Sequence, residues 1–158
     1  MHDGKMRQAR NLLDQNKFEE ALQLVQTLEH QEDLTLEEQL TCLILKSQIL
    51  IKKGEVPQSL EIAEAAFKLS ESVRNPLLQV DAINALAEAL RHMGRLGISH
   101  SQTPEYLQMI EQGEQLLATI PDAEPLEVSK RAAFLQRYKG MLFRSLQDFD
   151  AAIQCLQQ

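Results

Sequence analysis

A spacing that recurs along this chain restricts its fold more than any other feature. From Ser47, a bulky residue lies three positions on (Leu50), an apolar one nine on (Val56) and a small one twelve on (Ser59). The same offsets from Ala9 give Leu12, Phe18 and Ala21; from Ala87, Leu90, Leu96 and Ser99; and from Gly140, Phe143, Phe149 and Ala152. Recurrence on this scale marks stacked supersecondary units, none of which can bury its own apolar face. In the stretch from Leu43 to Ala66, Leu43, Ile44, Leu50 and Ile51 keep the three- and four-residue spacing of an apolar helical face. Gly54 then supplies the left-handed cap that ends the helix. Pro57 falls in the first turn of the next helix, where a missing N–H does no harm. Each unit therefore reads as two helices folded back on each other, with small residues at both ends of the pattern letting them approach closely.

The small, bulky, aromatic, small order resembles the tetratricopeptide repeat (TPR). The clearest copies run from Tyr138 to Gln154 (YKGMLFRSLQDFDAAIQ) and from Leu12 to Val25 (LLDQNKFEEALQLV). Repeat starts lie 38, 40 and 53 residues apart, against about 34 for the standard unit. No tryptophan occurs. These departures imply lengthened first helices and one insertion. The resemblance implies an all-α fold, a right-handed α-solenoid of about four antiparallel helix hairpins. One TPR-like domain over 1–158 is expected, with repeats near 5–30, 35–73, 75–120 and 125–158.

Local signals fix the helix ends. The first turn is expected near Gln15 to Lys17, with Glu19 and Glu20 suiting the start of the next helix. Thr35 and Glu38 fit a capping box, and Lys52 and Lys53 suit the negative end of the same helix. Asn75 followed by Pro76 is a cap and a first-turn proline. Residues 96–102 read as an inserted loop, and Thr103 to Thr119 as the second helix of the third hairpin. Gly113 then replaces Ser99 as the close-contact residue. The fourth hairpin is expected to turn at Gln147 and Asp148. Its last helix, Phe149 to Gln158, stops while still amphipathic, leaving Ile153 and Leu156 uncovered. Helical arrays usually end in a polar cap. The chain is thus expected to be a fragment of a longer array, or to bury that face against a second copy.

At 158 residues and 44% apolar composition the chain has the length for one continuous core. Aromatics make up only 4%, which with abundant Leu, Ala, Gln and Glu favours helix over sheet. A net charge of −7 argues against a general binder of nucleic acid or anionic membrane. No apolar run is long enough to span a bilayer and no signal-peptide pattern opens the chain. Cys42 and Cys155 lie far apart without metal-ligand spacing and read as free thiols of a reducing, cytoplasmic setting.

Catalytic patterns are missing. His2, His30, His92 and His100 lack zinc spacing, and no serine sits in a nucleophile elbow. Gly94 and Gly97 follow no strand and form no phosphate loop. The expectation is a non-enzymatic protein with no cofactor.

The resemblance places the first helices of successive repeats along a concave groove. It would carry Met6 and Arg10, then Ile44, Gln48 and Ile51, then Asn84, Glu88 and Arg91, and finally Arg137, Met141 and Arg144. Asn84 would hydrogen-bond a partner backbone, the arginines would pair with carboxylates, and Ile44 and Met141 would anchor apolar side chains. Chaperone-binding members of the family grip a terminal carboxylate with Lys and Asn side chains. The corresponding positions here are Met6, Arg10, Leu45, Asp81 and Ala85, of which only Arg10 is basic, so chaperone tails are not expected. The expected function is a protein-interaction scaffold holding an acidic or mixed peptide or helix. The alternatives are a homodimer through the C-terminal helix and a regulatory helical-repeat module of a larger signalling or transcription protein. A further alternative is an RNA-binding array, supported only by the five bases of residues 126–158 against three acids.

Overall fold

The computed structural model describes residues 2–94, 103–120, 125–145 and 154–157. Every regular element among them is helical. In chain order these are α1 (Asp3–Asp14), α2 (Phe18–Glu29), α3 (Leu36–Lys53), α4 (Val56–Ser70), α5 (Pro76–Gly94), α6 (Thr103–Ala118) and α7 (Pro125–Ser145), followed by a short turn of helix at 154–157. The expected loop at 96–102, the turn at Gln147 and Asp148, and most of the last helix lie outside the described residues.

The helix ends have local causes. Glu38 N–H donates to the Thr35 hydroxyl, and the Glu38 carboxylate accepts from Thr35 N–H at 2.9 Å, a closed capping box at the start of α3. Asn75 caps α5 by accepting from Leu78 N–H. The first two hairpin turns share one geometry. Asn16 (φ 61°) and Gly54 (φ 84°) each lie seven residues beyond the small residue that opens the repeat, and both adopt the left-handed conformation. In each case the following N–H reaches back five residues, Lys17 to the Leu12 carbonyl and Glu55 to the Leu50 carbonyl, both at 2.9 Å. Such bonds satisfy carbonyls that the ending helix leaves open.

The small residues meet as the spacing requires. Ala9 and Ala21 are fully buried between α1 and α2, and Ser47 and Ser59 between α3 and α4. Gly140 is buried in α7. Gly113 is a close-contact residue, but its approach reaches beyond its own hairpin: a Cβ there would lie 3.1 Å from Leu135 of α7 and 3.4 Å from Ile83 of α5.

Each helix packs on the next, and the odd-numbered helices form a second row of contacts, α1 on α3, α3 on α5 and α5 on α7. Among the described helices no even-numbered pair touches to a comparable extent. The helix pairs therefore stack with the first helices inward and the second helices outward. The apolar core follows this stack in three clusters, around Leu28 and Leu45, around Leu40 and Ile44, and around Ile83, Ile110 and Leu135.

Candidate functional site

The odd-numbered helices carry the residues that the repeat pattern assigns to the groove, and the structure sorts them by burial. Arg10 and Gln48 are exposed. Ile44 is only 4% exposed and packs among Leu40, Ala66, Ala82 and Ala85 where α3 meets α4 and α5. It is a core residue and presents no surface for an apolar anchor. Met6 and Ile51 are likewise buried. The correction has one physical reason: large apolar side chains on the inner row fill the seams between first helices. Leu45 and Ala85, two of the positions compared with chaperone-tail grips, are also core.

Between α5 and α7 the apolar packing of Ile83 and Leu135 is flanked by two polar rungs. Arg131 holds Asp81 with a bidentate pair, Nε to Oδ1 at 2.7 Å and Nη2 to Oδ2 at 2.9 Å. Its remaining Nη1 donates to the Glu127 carboxylate at 2.9 Å. Seven residues further along each helix, the Tyr138 hydroxyl donates to Glu88. Glu88 also accepts from Arg91 Nη2 at 2.7 Å and lies 3.1 Å from His92 Nε2. Burial opposes ionisation of Glu88, but the bonds from Arg91 and Tyr138, with the Arg91 charge and the His92 contact, outweigh it. The carboxyl is brought down to about 2. Burial, with Glu88 alongside, pushes the Tyr138 phenol upward. Arg91 and Glu88 are therefore brought together, and Arg91 enters any encounter already paired.

Asn84 lies on α5 between the two polar rungs, and its Oδ1 is buried with no hydrogen-bond partner. An amide oxygen left in that state costs about 1–3 kcal/mol relative to a bonded one.

Along α7, Arg137, Met141 and Arg144 are exposed on one face. Arg137 and Arg144 make no ion pair among the described residues. Phe134, 49% exposed, belongs to the same face, and its ring stacks on Tyr138 with centroids 6.5 Å apart. Sequence reasoning omitted Phe134, although its place three residues before Arg137 and seven before Met141 puts it on their face. The basic excess of the C-terminal quarter is also partly spent internally, since Arg131 pairs with Asp81 and Lys139 with Glu114 at 3.0 Å. That weakens the one support for RNA binding.

Two crystal structures place this arrangement among known folds. Nearly identical TPR-like repeats assigned to a kinesin light chain of Podosopora anserina superpose with TM-score 0.72 at 17% identity, covering 99% of this chain and 72% of that one. A single-residue variant of the same protein superposes with TM-score 0.73 at 16% identity and the same coverage. This chain has a TPR-like helical-repeat fold. No protein-family model and no curated protein matches the sequence. Among the described residues of the TPR-like array, no helix is long and apolar enough to cross a membrane. No group of three His, Cys, Asp or Glu among them could hold a metal ion.

Proposed function

We propose that the chain is a non-enzymatic scaffold that binds an acidic peptide or helix of another protein across the face formed by its first helices. The observation that carries this reading is the pair of exposed guanidiniums, Arg137 and Arg144, with no ion pair among the described residues, set beside the exposed apolar side chains of Phe134 and Met141. Charged groups flanking an apolar anchor supply orientation, and the anchor supplies affinity. Arg10 and Gln48 carry the reading to the earlier first helices, where both are exposed; Asn84 joins it only if binding uncovers its buried, unpartnered Oδ1 to a partner's backbone N–H. Arg91 contributes only if a ligand carboxylate displaces Glu88. Ile44 has no part in it. The reading takes 1–158 as one TPR-like domain with repeats near 5–30, 35–73, 75–120 and 125–158. It involves no cofactor, nucleic acid or membrane. A cytoplasmic setting fits the two free thiols, Cys42 and Cys155.

The test is an array of short acidic and basic peptides probed with the wild type and an Arg137→Glu/Arg144→Glu variant. Acidic peptides should be retained by the wild type and lost by the variant. Equal retention by both proteins would remove the arginines from the reading. A second reading, a homodimer through the C-terminal helix, is favoured by Leu156 at 60% exposure. Light scattering that shows only monomer at high concentration would dismiss it.

A further inference from the structure

The spacing along α7 says more about the partner than its charge. From Leu126 to Arg144 the helix presents Leu126, Lys130, Phe134, Arg137, Met141 and Arg144, all exposed and separated by three or four residues. Apolar and basic residues alternate. The basic positions recur every seven residues, and the apolar ones every seven or eight. This is the two-position strip of a helix that packs along another helix. From it we infer that α7 docks lengthwise against an amphipathic acidic helix of a partner protein, with partner carboxylates opposite Lys130, Arg137 and Arg144 and partner apolar residues opposite Phe134 and Met141.

Three observations decide between occupants. The first is the repeat length. Seven residues of helix advance about 10.5 Å, so like anchors on α7 recur at that interval. Side chains on one face of an extended peptide recur at about 6.8 Å and fall out of step, whereas a second helix with a seven-residue repeat stays in step. The second is charge. A second copy paired through the same strip brings three cations from each chain into one seam, and the strip contains no carboxylate. The nearest acid, Glu127, is engaged by Arg131 and lies 3.7 Å from Lys130. Basic residues at inward positions of this kind select a complementary partner and oppose self-pairing. The third is rigidity. The strip is held in place by the Asp81–Arg131 and Glu88–Tyr138 rungs behind it, and the Phe134 ring is braced on Tyr138. An anchor fixed before binding loses little freedom when it is covered.

The inference rests on the acidic-partner reading above and narrows it to a helix, so the test separates the two. Fluorescence anisotropy would follow the full chain against a labelled four-heptad peptide with Leu and Glu at the two inward positions. A peptide of the same composition carrying two central prolines serves as the comparison. The heptad peptide should bind at least about tenfold more tightly than the broken one, because proline removes the helix and leaves the charge. Arg137→Glu/Arg144→Glu should lose it, and a peptide with Lys in place of Glu should bind that variant. Phe134→Ala, with its fold checked by circular dichroism, should weaken binding without changing its salt dependence. Equal binding of both acidic peptides would overturn the helical partner while leaving the acidic one. Failure of the heptad peptide to bind, or binding indifferent to the arginines, would overturn the inference, as would concentration-dependent self-association abolished by Arg137→Glu/Arg144→Glu.

Discussion

The Ser47 and Ser59 hydroxyls stand 3.0 Å apart across the crossing of α3 and α4, each also within reach of the other residue's carbonyl. Ser59 Oγ donates to the Ser47 carbonyl at 2.8 Å, and both residues are fully buried. The pair does two things at once. It keeps the crossing narrow, and it satisfies the polar atoms that a narrow crossing buries.

Replacing one serine and replacing both should therefore differ. Ser47→Ala or Ser59→Ala alone should cost about 0.5–1.5 kcal/mol, and the double variant should cost less than the sum, because each single variant already loses the one shared hydroxyl–hydroxyl bond. Ser47→Leu should cost about 1–3 kcal/mol through overpacking. Urea unfolding of wild type, the two alanine variants and their double, compared as a double-mutant cycle, reads the first effect, and the Ser47→Leu variant beside them reads the second.

Glu88 makes stability depend on acid. Its folded pKa, near 2, lies below the ordinary 4.5, so the unfolded chain binds the proton more readily. The stabilisation is complete above about pH 5 and is lost as pH falls through 4.5 towards 2. Glu88→Gln should lower stability at pH 7 by about 1–3 kcal/mol, since it weakens bonds to a charged acceptor. The gap from wild type should close between pH 5 and 2. A constant gap over that range would show that the carboxylate charge is not what Arg91 and Tyr138 stabilise.

Arg131 ties α7 to α5 through a fork that matches both oxygens of Asp81. Arg131→Lys retains the charge but cannot make two parallel bonds. It should destabilise by about 1–3 kcal/mol and recover little relative to Arg131→Met, because Asp81 keeps an under-satisfied, partly buried carboxylate in both. Thermal melts of the two variants would reveal the difference, and a lysine variant indistinguishable from wild type would show that charge alone suffices.

The two thiols should react very differently. Burial pushes the Cys42 thiol up to about 11, with the charges of Glu29 and Glu38 adding to the effect, whereas Cys155 is partly exposed. At pH 8, a thiol reagent should modify Cys155 promptly and Cys42 only as fast as the α2–α3 region opens. Mass spectrometry of timed digests distinguishes the sites, and rapid labelling of Cys42 would contradict the packing around it.

Helix ends and hairpin contacts were legible in the sequence because they are encoded locally. The capping box at Thr35, the glycine cap at position 54, the Asn75 and Pro76 start and the small residues at 9, 21, 47 and 59 each act within one hairpin. What the sequence did not disclose lies between hairpins. Ile44 and Arg91 follow the same repeat register, yet one is sealed in the α3–α5 seam and the other is held by its own helix neighbour Glu88. The Asp81–Arg131 and Glu88–Tyr138 pairs join residues fifty apart, and no local pattern announces such a pairing. Phe134 was the opposite case, readable from its spacing but outside the small-residue motif that organised the reading.

The contact map also has a mechanical meaning. No substantial contact between described helices spans more than two steps along the chain. An array joined only in this way behaves like a leaf spring: slight rotations at successive interfaces add up along its length without any one interface having to open. The bending should not be uniform. Between α5 and α7, hydrogen-bonded rungs resist sliding, whereas the α3–α5 seam is greased by apolar side chains such as Ile44, Ala82 and Ala85. Strain applied at one end should therefore gather at the α3–α5 seam, and the C-terminal pair of first helices should move as one stiff plate.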